Sequence, residues 1–190
     1  MTAADGPFLM WVGDVFRPAP GAAVWATGLV ERGRVRAGDT VEVVGFGADA
    51  RAVAAQIEVR RAHAEEAGPG SNAGLLLRGA AAATVEPGQV VAAPGSVRAY
   101  AAFSADVVVL AEEEGGADVF PGDRLRFHFA TAAVPGIVTL PEGTDVLRPL
   151  HRGRFTVVLD RPVPVEEGRR FAFRHHGRAA GSGTVTGVAR

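Results

Sequence analysis

The sequence predicts an all-β protein built as two antiparallel β-barrels in tandem. Three observations carry that expectation. The 25 glycines and 12 prolines are spread along the 190 residues rather than clustered. They separate short runs rich in Val, Ala and Phe, which is a strand-and-turn rhythm. No segment sustains the apolar repeat and caps of an amphipathic helix. Many short strands at regular spacing favour closure, because a barrel leaves no unpaired sheet edge.

The first strand covers residues 8–16 and the second residues 24–31, ending in the turn Arg32-Gly33. Residues 40–46 alternate, with Val41 and Val43 on one face. Residues 53–59 continue the pattern, which places Val53, Ala55, Ile57 and Val59 on one side. Residues 72–78 and 89–92 complete the first half. The alanines Ala80–Ala83 lie between Gly79 and Pro87, which limits any helix there to a turn. Pro94-Gly95-Ser96 marks the boundary, so the two domains are 1–95 and 96–190. Beyond it, residues 103–110, 124–129, 136–140, 154–159, 171–174 and 184–188 read as strands. The acidic runs Glu65-Glu66, Glu112-Glu113-Glu114 and Glu166-Glu167 lie near glycines and read as solvated loops.

Composition excludes several classes. The formal net charge is −1, so no global field draws the chain onto DNA or an acidic membrane. All 20 basic residues are arginine. That fits a GC-rich coding bias as well as bidentate phosphate recognition. There is no cysteine, which removes disulfides, thiolate catalysis and zinc–cysteine sites. No apolar run approaches the ~20 residues of a membrane helix. The start, Met-Thr-Ala-Ala-Asp-Gly, has no signal-peptide character, so a cytoplasmic location is expected.

Catalytic chemistry is sparse. None of His63, His128, His151, His175 and His176 has the i, i+4 spacing of a helical zinc site, and no metal site is expected. His175 and His176 are expected on opposite faces of a strand. Ser182, in Gly181-Ser182-Gly183, lacks a strand-to-helix elbow. A phosphate-cradling loop of the GTPase kind needs a lysine, and the chain has none. Gly45-Phe46-Gly47 reads as a hairpin turn. No cofactor and no enzymatic activity are expected.

The ordered motifs are more informative. Pro7-Phe8-Leu9-Met10, Asp14-Val15-Phe16, Thr27-Gly28, Val30-Glu31-Arg32-Gly33, Val41-Glu42-Val43-Val44-Gly45, Leu76-Leu77-Arg78-Gly79 and Pro87-Gly88-Gln89-Val90 follow one another in the first half. Glu114-Gly115-Gly116, Phe127-His128-Phe129, Leu140-Pro141-Glu142-Gly143, Gly168-Arg169-Arg170-Phe171-Ala172-Phe173-Arg174 and Gly181-Ser182-Gly183-Thr184-Val185 follow in the second. In this order they resemble the second and third domains of elongation factor Tu over essentially the whole chain. With Met1 six residues before Pro7, the chain reads as a stand-alone two-barrel paralogue without the GTPase domain.

The resemblance implies a site. In that family the second domain holds the aminoacyl group of charged transfer RNA, and the matching positions here are Asp14, Phe16, Thr27, Glu58 and Asn72. Carboxylates suit an α-ammonium group, and charge-assisted hydrogen bonds contribute ~1.5–3 kcal/mol. Phe16 is suited to stack on a base, worth ~1–3 kcal/mol. The alternative for these positions is retention by the fold alone, with Phe16 in the core. In the third domain Arg124, Arg126, Arg174 and Arg178 remain as transfer RNA phosphate contacts.

Departures from the family pattern cut the other way. Gly13, Ala22, Ala23, Trp25 and Leu29 replace family residues around the first site. Ala117-Asp118 stands where the family has Arg-His, Pro135 where it has threonine, Ala130 where it has arginine and His176 where it has glycine. Two readings result. One is binding of aminoacyl-tRNA or its aminoacylated CCA end without GTP hydrolysis. The other is a protein-interaction module that docks on a separate GTPase or presents an elongation factor Tu-like surface to translation-factor partners.

Overall fold

Alternating small, β-branched and aromatic residues pair into strands along most of the chain in a computed structural model that describes residues 5–21 and 23–189. The chain divides into two units, residues 1–99 and 100–190.

The first unit contains β1 (Leu9–Ala19), β2 (Ala23–Arg32), β3 (Val35–Arg36), β4 (Thr40–Val44), β5 (Ala50–Val59), β6 (Ala62–Ala64), β7 (Glu66–Ala67), β8 (Asn72–Arg78) and β9 (Val90–Ala92). Its main sheet runs β4-β9-β1-β2-β8-β5-β6, and an extra β4–β5 pairing joins the two sides into a ring. The strand pairings of the described residues are antiparallel. The interior is mostly aliphatic, with Met10, Val24, Val43, Ile57, Leu75 and Leu77 fully buried. Gln89 is the polar exception. Its Oε1 accepts from the Glu86 amide at 2.8 Å and its Nε2 donates to the Gly45 carbonyl at 2.8 Å. That ties β9 to the β4–β5 hairpin, and both ends of the buried amide are satisfied.

The second unit contains β10 (Tyr100–Val109), β11 (Arg124–Phe129), β12 (Ala132–Thr139), β13 (Arg152–Val163), β14 (Arg170–His175) and β15 (Arg178–Ala189). They close a barrel in the order β10-β13-β12-β11-β14-β15. Its core is aromatic: Phe103, Phe127, Phe129, Phe155, Phe171 and Phe173 meet with ring centroids 5.4 to 6.4 Å apart, mostly edge to face. Each such pair adds ~0.5–1.5 kcal/mol beyond burial. No helix of the described residues is long and apolar enough to cross a membrane.

The all-β expectation holds, and so does the turn at Ala80–Ala83, which is a single 3-10 turn. Three details differ. Val53 is 40% exposed while Ala52, Ala54 and Ile57 are buried. A bulge between Ala54 and Gln56 inverts the alternation, so Val53 and Ile57 face opposite ways. Glu66 is not a loop residue: it lies in β7, and its carboxylate accepts from Arg34 at 3.0 Å and Arg36 at 3.3 Å. His175 and His176 do not diverge. β14 ends at His175 and His176 turns at φ 51°, so the two rings stack at 4.0 Å.

Candidate functional site

Two β-bulges shape the outer face of the first unit. Val12 pairs with Gly28 and Asp14 with Thr27, which leaves Gly13 as the extra residue. Before it Met10 and Val12 face inward; after it Asp14 and Phe16 face outward. The bulge in β5 does the same for Gln56 and Glu58. Both carboxylates of the expected site therefore owe their outward aim to an inserted residue, the usual use of a bulge near a functional surface. Gly28 belongs to the same device. A Cβ there would sit 1.8 Å from the Trp11 carbonyl oxygen, so only glycine lets β1 come this close.

Strand register then assembles the site. Asp14 is opposite Thr27, Thr27 opposite Gly74, Gly74 opposite Glu58, and Glu58 opposite His63. This is one row across β1, β2, β8, β5 and β6. Phe16, Trp25, Leu76 and Gln56 form the row on one side. Leu29 and Asn72 are paired on the other. All five expected residues thus lie on one surface. With strands ~4.8 Å apart, Asp14 and Glu58 stand roughly 14 Å apart along the row. One ammonium group cannot reach both, so a ligand using the whole row must be extended.

Phe16 is 64% exposed, which removes a core role for it. Thr27 Oγ1 makes a long 3.5 Å contact with the Asp14 carbonyl oxygen. Among the described residues the side chains of Asp14, Glu58 and Asn72 have no hydrogen-bond or ion-pair partner. They are open acceptors on an apolar ground of Phe16, Trp25 and Leu29. Gly74 opens the middle of the row, and the Trp25 ring leans towards it, 3.5 Å from where a Cβ would be. Ala22 lies outside the described residues. His63 and Gln56 were not expected at the site. Their only signal in the sequence is the spacing of β5 and β6 about the turn at Arg60-Arg61.

The second unit gathers positive charge. Arg124, Arg126 and Arg174 line an open cleft of about 330 Å³ with Pro135 and His176. Arg126 and Arg174 are directly opposite on β11 and β14, and neither forms an ion pair among the described residues. Like charges in that position repel, which an anion between them would relieve. Arg124 is already paired with Asp160 on β13. Arg178 is not in the cleft. It lies across the β14–β15 hairpin, with its Cβ 3.5 Å from where a Cβ on Gly115 would be. His128, two residues beyond Arg126, is held below its ordinary value by burial first and then by Arg126 and Arg174. Pro135 fits because β12 pairs with β13 only from Gly136 onward, so no ladder bond on that side needs its missing N–H.

Family comparison places both units. Residues 23–92 match elongation factor Tu domain 2, and residues 96–189 match the elongation factor Tu C-terminal domain. The chain belongs to the elongation factor Tu family. Neither matched region is a GTPase domain. The two faces described above fall within, or in the case of β1 directly beside, the matched elongation factor Tu domains.

Proposed function

We propose that this elongation factor Tu-like module binds aminoacyl-tRNA through its aminoacylated CCA end, without catalysing GTP hydrolysis. One observation carries the reading: the outward row of Asp14, Thr27, Gly74 and Glu58, flanked by Phe16 and Asn72, with free acceptors and an exposed ring. An α-ammonium group suits a free carboxylate, and a terminal base suits the exposed face of Phe16. The Arg126–Arg174 pair suits the phosphates of the acceptor or adjoining stem.

Titration of the full chain with charged and uncharged transfer RNA tests this. Charged RNA should bind more tightly, and Glu58→Ala should reduce its affinity about tenfold to a hundredfold while leaving uncharged RNA unchanged. Equal binding of the two RNA forms by the native chain would overturn the reading.

A second reading rests on Phe16 and Leu29, both large, apolar and more than half exposed on the same face. Such a patch also suits a protein partner, a separate GTPase or another translation factor. Recovery of a protein without RNA from lysate, insensitive to Glu58→Ala and lost in Phe16→Ala, would favour it.

A further inference from the structure

A further cleft of the second unit is on neither face described so far. It measures about 900 Å³ and opens on the outside of β13, β10, β15 and β14. Register lays out its wall. Arg154 is opposite Asp106, Asp106 opposite Thr184, and Thr184 opposite Arg170. In the next row Arg152 is opposite Val108, and Val108 opposite Ser182. Three guanidinium groups and two hydroxyls therefore share one surface with a single carboxylate.

That carboxylate is committed. Asp106 Oδ1 accepts from Arg154 Nε at 3.1 Å. Arg152 and Arg170 form no ion pair among the described residues. Their strands are separated by β10 and β15 and they lie one row apart, which sets them roughly 16 Å apart along the sheet. A single phosphate cannot engage both. The ligand that matches is a chain of anions with spaced charges.

Two features select among such chains. Phe171 is the one aromatic residue lining the cleft, and its ring is packed into the core at 5% exposure. Bases have nothing to stack on, so contact is with the backbone only. The hydroxyls of Ser182 and Thr184, between the arginines, are the neutral donors commonly found beside Arg on phosphate oxygens. The cleft also shares β14 with the Arg126–Arg174 pair. Arg170 and Arg174 both point outward from that strand, about 13 Å apart along it.

We propose that this cleft is a second phosphodiester-binding site, engaging a single-stranded RNA backbone through Arg152 and Arg170 with Ser182 and Thr184, independent of sequence and of any aminoacyl group. It does not depend on the CCA-end reading. Arg154 and Asp106 set its net charge, and the Asp106 carboxylate limits its affinity.

The test is binding of a labelled, uncharged single-stranded RNA oligonucleotide to the full chain across a salt series. Arg152→Ala/Arg170→Ala should weaken binding at low salt and reduce the log–log salt slope by about 1.4, at ~0.7 per lost phosphate contact. Asp106→Asn, which removes a negative charge without removing bulk, should strengthen binding. The same changes should appear in an Arg126→Ala/Arg174→Ala background, which separates this cleft from the first. Far-ultraviolet circular dichroism of each variant keeps misfolding apart from lost contacts. An unchanged slope in the folded Arg152→Ala/Arg170→Ala variant would overturn the proposal. So would binding of labelled polyglutamate to the native chain with no binding of the RNA oligonucleotide, which would assign the cleft to an acidic peptide. Glu58→Ala should leave this binding intact, so failure here and failure at the CCA-end site are distinguishable.

Discussion

At the scale of single residues, the histidine pair at the end of β14 ties stability to pH. His175 is buried, its Nδ1 has no partner, and its Nε2 lies 3.7 Å from Asp123 Oδ2. Burial lowers its pKa most; the neighbouring His176 lowers it further, and Asp123 pulls the other way. The neutral ring is thus the native form. A group held below its unfolded value of 6.5 contributes full stability above that pH and loses it as pH falls through the folded value. His128, lowered by burial and two arginines, acts in the same direction. The melting temperature should therefore fall between pH 7 and pH 5. In His175→Phe, which keeps an apolar ring against His176, the fall should be smaller. Equal falls in the two proteins, followed by differential scanning calorimetry, would remove His175 as a contributor.

At the scale of elements, the bulges matter more than the strands. Were Gly13 paired as an ordinary strand residue, the alternation set by Met10 and Val12 would turn Asp14 inward. Burying an unpaired carboxylate costs several kcal/mol. One alanine inserted after Gly13 shifts the alternation by one residue and should lower the melting temperature by about 10 °C or more and abolish binding of charged RNA, whereas deletion of Gly13 leaves Asp14 next to Val12 and still outward. Gly13→Ala, which keeps the residue count, should cost less than about 1 kcal/mol. An insertion variant that melts like the native chain would show that the bulge does not set the side-chain direction. The bulges also mark what the sequence could and could not tell. Strand identity was legible because Val, Ala and Phe alternate with polar residues between glycine turns. Side-chain direction past an inserted residue was not. Ala55 looks like any other alanine, and the expected shared face of Val53 and Ile57 failed there. The β5–β6 hairpin was also hidden, since its turn uses Arg60 and Arg61 at φ 54° and 62° in place of asparagine and glycine. The five site positions were legible through family resemblance alone. Their convergence on one row depends on register, which no local pattern states. Arg170, Ser182 and Thr184 lie in two of the ordered motifs, but the cleft they form with Arg152 was not legible, because its residues come from four strands and meet only in the closed barrel.

At the scale of the molecule, a net charge of −1 leaves no long-range attraction for RNA. Affinity must come from local arrangements, and these occur separately in the two units. On the proposed function, the row at Glu58 would recognise the charged end, and the Arg126–Arg174 pair would recognise phosphate whatever the end carries. The two lie on different strands of different units. Their contributions should then add. Arg126→Ala/Arg174→Ala should weaken charged and uncharged transfer RNA by the same factor and reduce the salt slope by about 1.8, at ~0.9 per duplex phosphate contact. Glu58→Ala should weaken only the charged form and leave the slope alone. The triple variant should show the sum of the two free-energy losses within about 0.5 kcal/mol. A larger departure, measured by titration at several salt concentrations, would mean that acyl and phosphate recognition are coupled through the bound RNA or the chain. Division of labour between the two barrels would then be the wrong description of how the module works.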